Sequence, residues 1–403
     1  MSKAMMQKAM DRGNGILRMI PSWVPRSFMR PGKRLRLHMD DYYPYGIERG
    51  AIDERWMAST AHADNGPDTP GDEGMSYLLA DDEGKERILF KDLVEEFKAD
   101  VIGDFLWSKY HDWPMYAGTF DNLGPLPHHL HHDDYHAAKV NQKGKPEMYF
   151  FPSQLNNHPG ECAFTFFGLS PEVTKDQLRQ ALENYPKGDN RILELSRAYK
   201  LKLDTGWDIP PGILHAPGSL LTYEPQIASE ISTFYQSVLH GEHIMDKAFE
   251  WINVPEDRIG DYDYLIELLD WELNVDPDFR ENRYMEPKPA RPFDETMPQG
   301  YFEEWCGYKS KRISCKRLTV LPRKTITIKD GAPYGFFMLQ GFGNMEGFEV
   351  SAPNVIRFGQ LTNDEYFICA DKAKVGVTIT NLSNSQPIVM LKHFAENPDL
   401  VFE

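Results

Sequence analysis

The sequence predicts a mainly β protein, with a metal-binding barrel decorated by helices and then a smaller, metal-free β domain. Three observations carry this. From Tyr301 onward, short β-like runs recur at regular spacing, separated by turn signals such as Asp330-Gly331 and Asn381 to Asn384. Upstream, Phe and Thr alternate through residues 161–168, the period of a half-buried strand. Finally, Pro127-His128-His129-Leu130-His131-His132-Asp133-Asp134 sets His129 and His131 two residues apart, on one face of any strand that carries them.

Taken in order, residues 1–36 are rich in Lys, Arg and Met and read as a basic N-terminal arm, with a short helix over 2–12. Arg36 to Tyr45 opens a sheet and, with it, the barrel domain of residues 37–240. Asp64 to Gly74 is a loop, Phe90 to Phe97 an amphipathic helix, and Tyr149 to Pro152 and Glu161 to Gly168 are strands. Thr174-Lys175-Asp176-Gln177 has the form of a capping box and opens a helix to about Asn184. Arg191 to Tyr199 reads as helical, and strand character resumes at Leu201 to Ile209, Ser219 to Pro225 and Ile231 to Leu239. Residues 241–300 read as a helical segment, periodic over 244–273, and a proline-rich linker over 274–300. The last domain, 301–403, carries strands at Cys315–Val320, Thr325–Lys329, Gly335–Leu339, Asn354–Phe358, Glu365–Ala370, Val375–Thr380 and Ile388–Phe394.

The 403 residues allow two domains or more, and a net charge of −17 argues against an overall nucleic-acid-binding surface. Cys162, Cys306, Cys315 and Cys369 form no CxxC pair and read as reduced thiols rather than a disulfide framework. No apolar run is long enough to span a bilayer, and Ile16 to Val24 is broken by Arg18, Pro21 and Ser22, so no membrane partner and a cytoplasmic location are expected.

The chemistry concentrates in three pieces: the histidine-rich stretch, Lys145-Pro146-Glu147, and Pro211-Gly212-Ile213-Leu214-His215. His129, His131, Glu147 and His215, delivered from neighbouring strands, make three imidazoles and a carboxylate, a set suited to one divalent zinc, manganese, iron or cobalt ion. Alternation leaves His128 and His132 as a rival pair on the opposite face; with His136, they also read as surface bystanders.

These pieces resemble the class I mannose-6-phosphate isomerases, zinc-dependent enzymes of the cupin superfamily. The family's Gln-x-His-Pro motif corresponds to His129-Leu130-His131-His132, its Lys-Pro-Glu-Met to Lys145-Pro146-Glu147-Met148, and its Pro-Ala-Gly-x-x-His-Ala-x-Gly to Pro210 to Gly218. Glu224-Pro225-Gln226 matches a following Glu-x-Gln, and Glu54-Arg55-Trp56-Met57-Ala58-Ser59 an upstream Glu-x-Trp-x-x-Ser. The resemblance covers about residues 40 to 240, with a weaker echo in the C-terminal β domain, and implies a bicupin fold, its second cupin degenerate. It implies aldose–ketose isomerisation of mannose 6-phosphate or a related free or phosphorylated sugar through a cis-enediol. Lys145 and Glu224 would be the proton-transfer residues, and Trp56, Gln226 and Glu230 would contact the sugar.

Two positions depart from the family. Its glutamine ligand is His129 here, which leaves the metal open, and an arginine ten residues beyond the Glu-x-Gln glutamate is Phe234 here. Arginine binds phosphate or steadies an oxyanion, so its replacement opens the question of whether the sugar is phosphorylated. Two alternatives stay open: another metal-cupin enzyme, a dioxygenase or decarboxylase, and a non-catalytic sugar-binding cupin. The oligomeric state is not legible.

Overall fold

Two large antiparallel sheets build the protein in the computed structural model, which describes residues 2–80, 86–157, 162–243, 251–397 and 399–400. A seven-stranded sheet runs, edge to edge, Tyr284–Met285, Gly206–Ile209, Glu147–Phe150, Thr222–Ile227, Met115–Phe120, Ala51–Met57 and Ser22–Arg26. A nine-stranded sheet runs Lys288–Pro289, Tyr301–Gly307, Ile313–Val320, Ile388–Ala395, Tyr334–Gln340, Glu365–Ile368, Ile16–Ile20, Tyr77–Leu79 and Arg87–Leu89. The two sheets share one apolar core. Met148, Phe150 and Tyr223 of the first pack with Cys306, Cys315, Phe337 and Leu391 of the second. Each such large apolar side chain, fully buried, contributes about 1.5–3 kcal/mol.

Polar groups that cross this core are paired. Arg55 of the first sheet donates to both carboxylate oxygens of Asp364 (2.8 Å each) and to Glu365 (2.9 Å) beside the second. The hydroxyl of Tyr223 meets His393 Nδ1 at 2.8 Å. Removing either partner would strand a buried polar group, so the contacts fix how the layers are seated. On the far face of the nine-stranded sheet lies a four-stranded one, Thr325–Ile328, Val377–Asn381, Phe342–Met345 and Phe348–Ser351. It buries Ile326, Ile328, Met345, Val350 and Ile379 in a second core.

The helices expected from periodicity form at Lys3–Gly13, Phe90–Phe97 and Lys175–Glu183, the last opened by the Thr174–Gln177 capping box. The remaining differences have physical causes. Residues 1–36 are not a free arm: Ile16–Ile20 lies inside the nine-stranded sheet and Ser22–Arg26 forms the edge of the seven-stranded one. Their charges are used internally, Arg18 on the Thr362 carbonyl (3.0 Å) and Arg26 on Glu54 (2.7 Å). Arg36 to Tyr45 forms no strand, only a single bridge at Leu37 and a short 3-10 turn at Met39–Asp41.

Arg191 to Tyr199 is one 3-10 turn, Ile192–Glu194, followed by the strand Ser196–Lys200 paired with Phe164–Leu169. Tertiary pairing there overrides the helical period. Residues 274–300 are not a slack linker. Strands Tyr284–Met285 and Lys288–Pro289 edge the two sheets in turn, and Phe279 and Met285 are buried. Prolines cut this stretch into short elements rather than freeing it. Asn354 to Phe358 forms no strand beyond a single bridge from Ile356 to Leu37, whereas Tyr301–Gly307, Phe342–Met345 and Phe348–Ser351 do. Of the helical stretch 244–273, residues 244–250 lie outside the described residues, and helices occupy Tyr262–Glu267 and Trp271–Asn274. Among the described residues, no helix is long and apolar enough to cross a membrane.

Candidate metal centre

The three histidines meet because two short chain segments pair through them. His129 and His215 exchange backbone hydrogen bonds, His129 N to His215 O at 3.0 Å and His215 N to His129 O at 2.8 Å. Directly opposed antiparallel residues point their side chains to one side, and His131, two residues on, joins them. The ligand atoms of His129, His131 and His215 lie within 4.8 Å of one another, and all three residues are buried. Glu147 closes the cluster from the central strand Glu147–Phe150. Its Oε2 is 2.8 Å from His131 Nε2 and its Oε1 3.0 Å from His215 Nε2. Tyr149, two residues along the same strand, donates its hydroxyl to Glu147 Oε1 at 2.7 Å.

The proton positions follow from the partners. Nδ1 of His129 meets the Pro127 carbonyl at 2.7 Å, Nδ1 of His131 the Ile231 carbonyl at 2.6 Å, and Nδ1 of His215 the Ile213 carbonyl at 2.7 Å. A carbonyl only accepts, so each Nδ1 carries a proton and each Nε2 is left turned toward the cluster. Burial, then the nearby charge of Lys145, pushes His131 down to about 4; burial, then its histidine neighbours, holds His129 well below the usual range. Burial opposes ionisation of Glu147, but the flanking imidazoles of His131 and His215 outweigh it and keep the carboxylate charged. Nε2 of His131 and of His215 therefore face the two Glu147 oxygens at 2.8 and 3.0 Å. A positive charge shared among them, a proton or a metal ion, accounts for that spacing. His215 Nε2 and Glu147 Oε2 have no hydrogen-bond partner. The donor set fits a divalent metal, and the carbonyls behind each Nδ1 are the outer partners that orient metal-binding histidines.

The turn that delivers His215 is built around Gly212, which has φ +79; a Cβ there would stand 2.7 Å from the Asp270 backbone nitrogen. Gly212 N donates to the His131 carbonyl at 2.8 Å, tying this turn to the first histidine segment. Asn274 pins the same turn from the side, donating to the Gly212 carbonyl (2.7 Å) and accepting from Leu214 N (2.9 Å). Neither Asn274 nor Tyr149 was foreseeable as a support: one lies in an apparent linker, the other in a run of aromatics that reads as core.

Two members of the cluster, His129 and His131, line a cavity of about 380 Å³, within the range of small-ligand sites. His129, His131, Lys145, Glu224 and Glu230 line it, together with Phe28, Phe120, Phe234, Leu126 and Ile252. Glu224 is buried, its Oε1 accepts from Gln226 Nε2 at 2.9 Å, and its Oε2 has no partner. Burial, then the charge of Glu147, raises its carboxyl well above the usual range. Phe234 packs against His129 with ring centroids 5.4 Å apart. Trp56 and Gln226 stand outside the lining. Trp56 stacks on Tyr116 at 4.4 Å and donates to Glu54 Oε2 at 2.8 Å, so it and Gln226 each donate to an acid that lines the cavity. His128 and His132 are buried, not bystanders at the surface, and serve the scaffold, meeting Ser196 Oγ at 2.9 Å and Thr233 Oγ1 at 2.8 Å. His136 is also largely buried, with Nδ1 2.8 Å from Asp133.

No family model matches the sequence, and no curated protein matches it. Solved structures do match the fold. A mannose 6-phosphate isomerase from Bacillus subtilis superposes with a TM-score of 0.62 at 15% identity, covering 94% of this chain and 99% of that one. A single-residue variant of phosphomannose isomerase from Salmonella typhimurium gives 0.65 at 10% identity, covering 95% and 100%. A zinc-bound mannose 6-phosphate isomerase gives 0.62 at 11% identity, covering 95% and 100%. The chain has the mainly β, cupin-type fold of these proteins over nearly its whole length.

Proposed function

We propose that this protein is a metal-dependent aldose–ketose isomerase acting on a mannose-like sugar. The observation that carries it is the buried cluster beside the cavity: three imidazoles, each fixed by a backbone carbonyl behind Nδ1, bring their ligand atoms within 4.8 Å of one another, and Glu147 meets two of them. The shared fold with mannose 6-phosphate isomerases and the adjoining Lys145 and Glu224 direct that site toward sugar isomerisation. Zinc is the first candidate metal, by the donor set and the zinc-bound neighbour.

Isomerisation moves one proton between C1 and C2 and another between their oxygens, through a cis-enediol. A divalent cation held by His129, His131, His215 and Glu147 would supply positive charge for the oxygens of that species. The protein's own part is proton transfer. Glu224, its carboxyl raised above the usual range and one oxygen unpartnered, is able to give and retrieve a proton within the cavity. Lys145 lines the same cavity as the second proton carrier. Glu147, on two imidazoles and the Tyr149 hydroxyl, is committed to the metal cluster. The apolar wall of Phe28, Phe120 and Phe234 excludes water from the reacting carbons.

The test is a panel of mannose, fructose, lyxose and xylulose, free and phosphorylated, with Zn, Mn, Co or Fe supplied in turn. Aldose–ketose interconversion is expected, with solvent deuterium entering the product at C1 or C2. Oxygen consumption or decarboxylation without interconversion would place the protein among other metal cupins, and sugar binding without turnover would make it a binding protein.

A further inference from the structure

We infer that the cavity selects an unphosphorylated sugar. This rests on the sugar-ligand reading above and adds the charge of the ligand. A phosphate ester brings a dianion that needs unengaged cationic donors at the outer end of the cavity, away from the metal cluster. The structure supplies the opposite. Arg26 reaches the cavity, but its guanidinium is saturated. Nε and Nη2 donate to Glu54 at 2.7 and 3.3 Å, Nη2 also to Glu230 at 3.0 Å, and Nη1 to Asn65 Oδ1 at 2.9 Å and the Asp64 carbonyl at 3.2 Å. Five contacts account for its five N–H donors. Arg49, the other lining arginine, is held on both oxygens of Glu73 at 2.7 Å.

Around them the cavity is acidic. Glu48, Glu54, Asp64, Glu224 and Glu230 line it against Arg26, Arg49 and Lys145. Glu48 and Asp64 are exposed at the rim, where an incoming dianion passes first. Lys145 is the third lining cation, buried in the wall among Glu224, Glu230 and His131 rather than exposed at the rim. Where the remaining wall could have carried a cation it carries Phe28, Phe234 and Ile252, with Phe28 and Phe234 edge to face at 5.8 Å. Hydroxyl groups suit such a lining: the carboxylates accept their hydrogen bonds and the apolar wall packs on ring carbons.

The experiment measures kcat/KM and, by calorimetry, affinity for mannose and lyxose against mannose 6-phosphate and inorganic phosphate, on zinc-loaded full-length protein. Free sugars are expected to lead the ester by at least about 100-fold in whichever of the two quantities is measurable, because like-charge juxtaposition in a binding site is strongly disfavoured. Two variants sharpen this. Glu230→Gln releases an Arg26 donor and Asp64→Lys reverses a rim charge; each is expected to raise use or binding of the ester by about 10-fold or more. Equal or better handling of mannose 6-phosphate by the unaltered protein would overturn the inference and leave an isomerase reading intact. Binding of free sugars without turnover would remove the isomerase reading and uphold the inference. Failure to bind any free sugar, with or without phosphate binding, would overturn it.

Discussion

Asn274 touches none of the cluster's ligand atoms and yet holds the turn that places His215. Replacing it with alanine removes three buried hydrogen bonds: to the Gly212 carbonyl (2.7 Å), to the Asp270 carbonyl (2.7 Å) and from Leu214 N (2.9 Å). The two carbonyls keep other donors, Asp270 N on Gly212 at 3.0 Å and Asn274 N on Asp270 at 3.1 Å. Leu214 N is left unpaired in a buried site, which costs about 1–3 kcal/mol, and the two lost donors add about 1 kcal/mol each. The expected destabilisation is therefore about 3–5 kcal/mol, measurable as a shift in the urea midpoint at unchanged slope. Since Leu214 immediately precedes His215, zinc affinity is also expected to fall about 10–100-fold, the usual effect of losing an outer support. Competition with a chromophoric chelator reads this directly. Unchanged zinc affinity in a folded Asn274→Ala protein would refute the idea that this turn positions His215.

Other expectations are simpler. Glu224→Gln is expected to lower kcat by about 10²–10⁴-fold while zinc content stays at the parent level, because it removes a proton carrier and not a ligand; steady-state kinetics beside metal analysis separates the two. Tyr149→Phe leaves Glu147 Oε1 without its hydroxyl donor and is expected to weaken zinc binding about 10-fold, read by the same chelator competition. Acid is expected to destabilise the fold in a defined window. Burial lowers His128, His132 and His393 to about 3, whereas unfolded histidine titrates near 6.5, so the unfolded chain binds more protons between these values. Their contribution is complete above about pH 6.5 and is lost as pH falls, by about 2 kcal/mol per residue at pH 5. Urea titrations of metal-free protein from pH 8 to 5 check it; a pH-independent midpoint would contradict the buried neutral histidines.

Much of the site could be read in the sequence because its chemistry is local. The i, i+2 spacing of His129 and His131, the Lys145-Pro146-Glu147 step and the Gly212 turn each carry a physical instruction that survives without the rest of the chain. What was hidden depends on long-range pairing. Nothing local marks Ile16–Ile20 as a strand that lies between Glu365–Ile368 and Tyr77–Leu79, since its partners are far away in sequence. Ser196–Lys200 looked helical because Ile192, Leu193 and Leu195 share one turn before the alternation begins. Arg26 looked like one more charge in a basic arm, yet it closes the cavity wall between Glu54 and Glu230. Trp56 and Gln226 stand behind Glu54 and Glu224, each donating to one of these lining acids, a detail of depth that sequence spacing does not fix.

All of this depends on one cation among four side chains. X-ray absorption at the metal edge of zinc-loaded protein, with zinc content measured after dialysis, tests that directly. One zinc per chain, with nitrogen and oxygen neighbours at about 2.0–2.2 Å, is the expected result, and His129→Ala, His131→Ala and His215→Ala should each abolish retention. Protein that retains no divalent metal after loading, or retains it unchanged in those variants, would contradict the account.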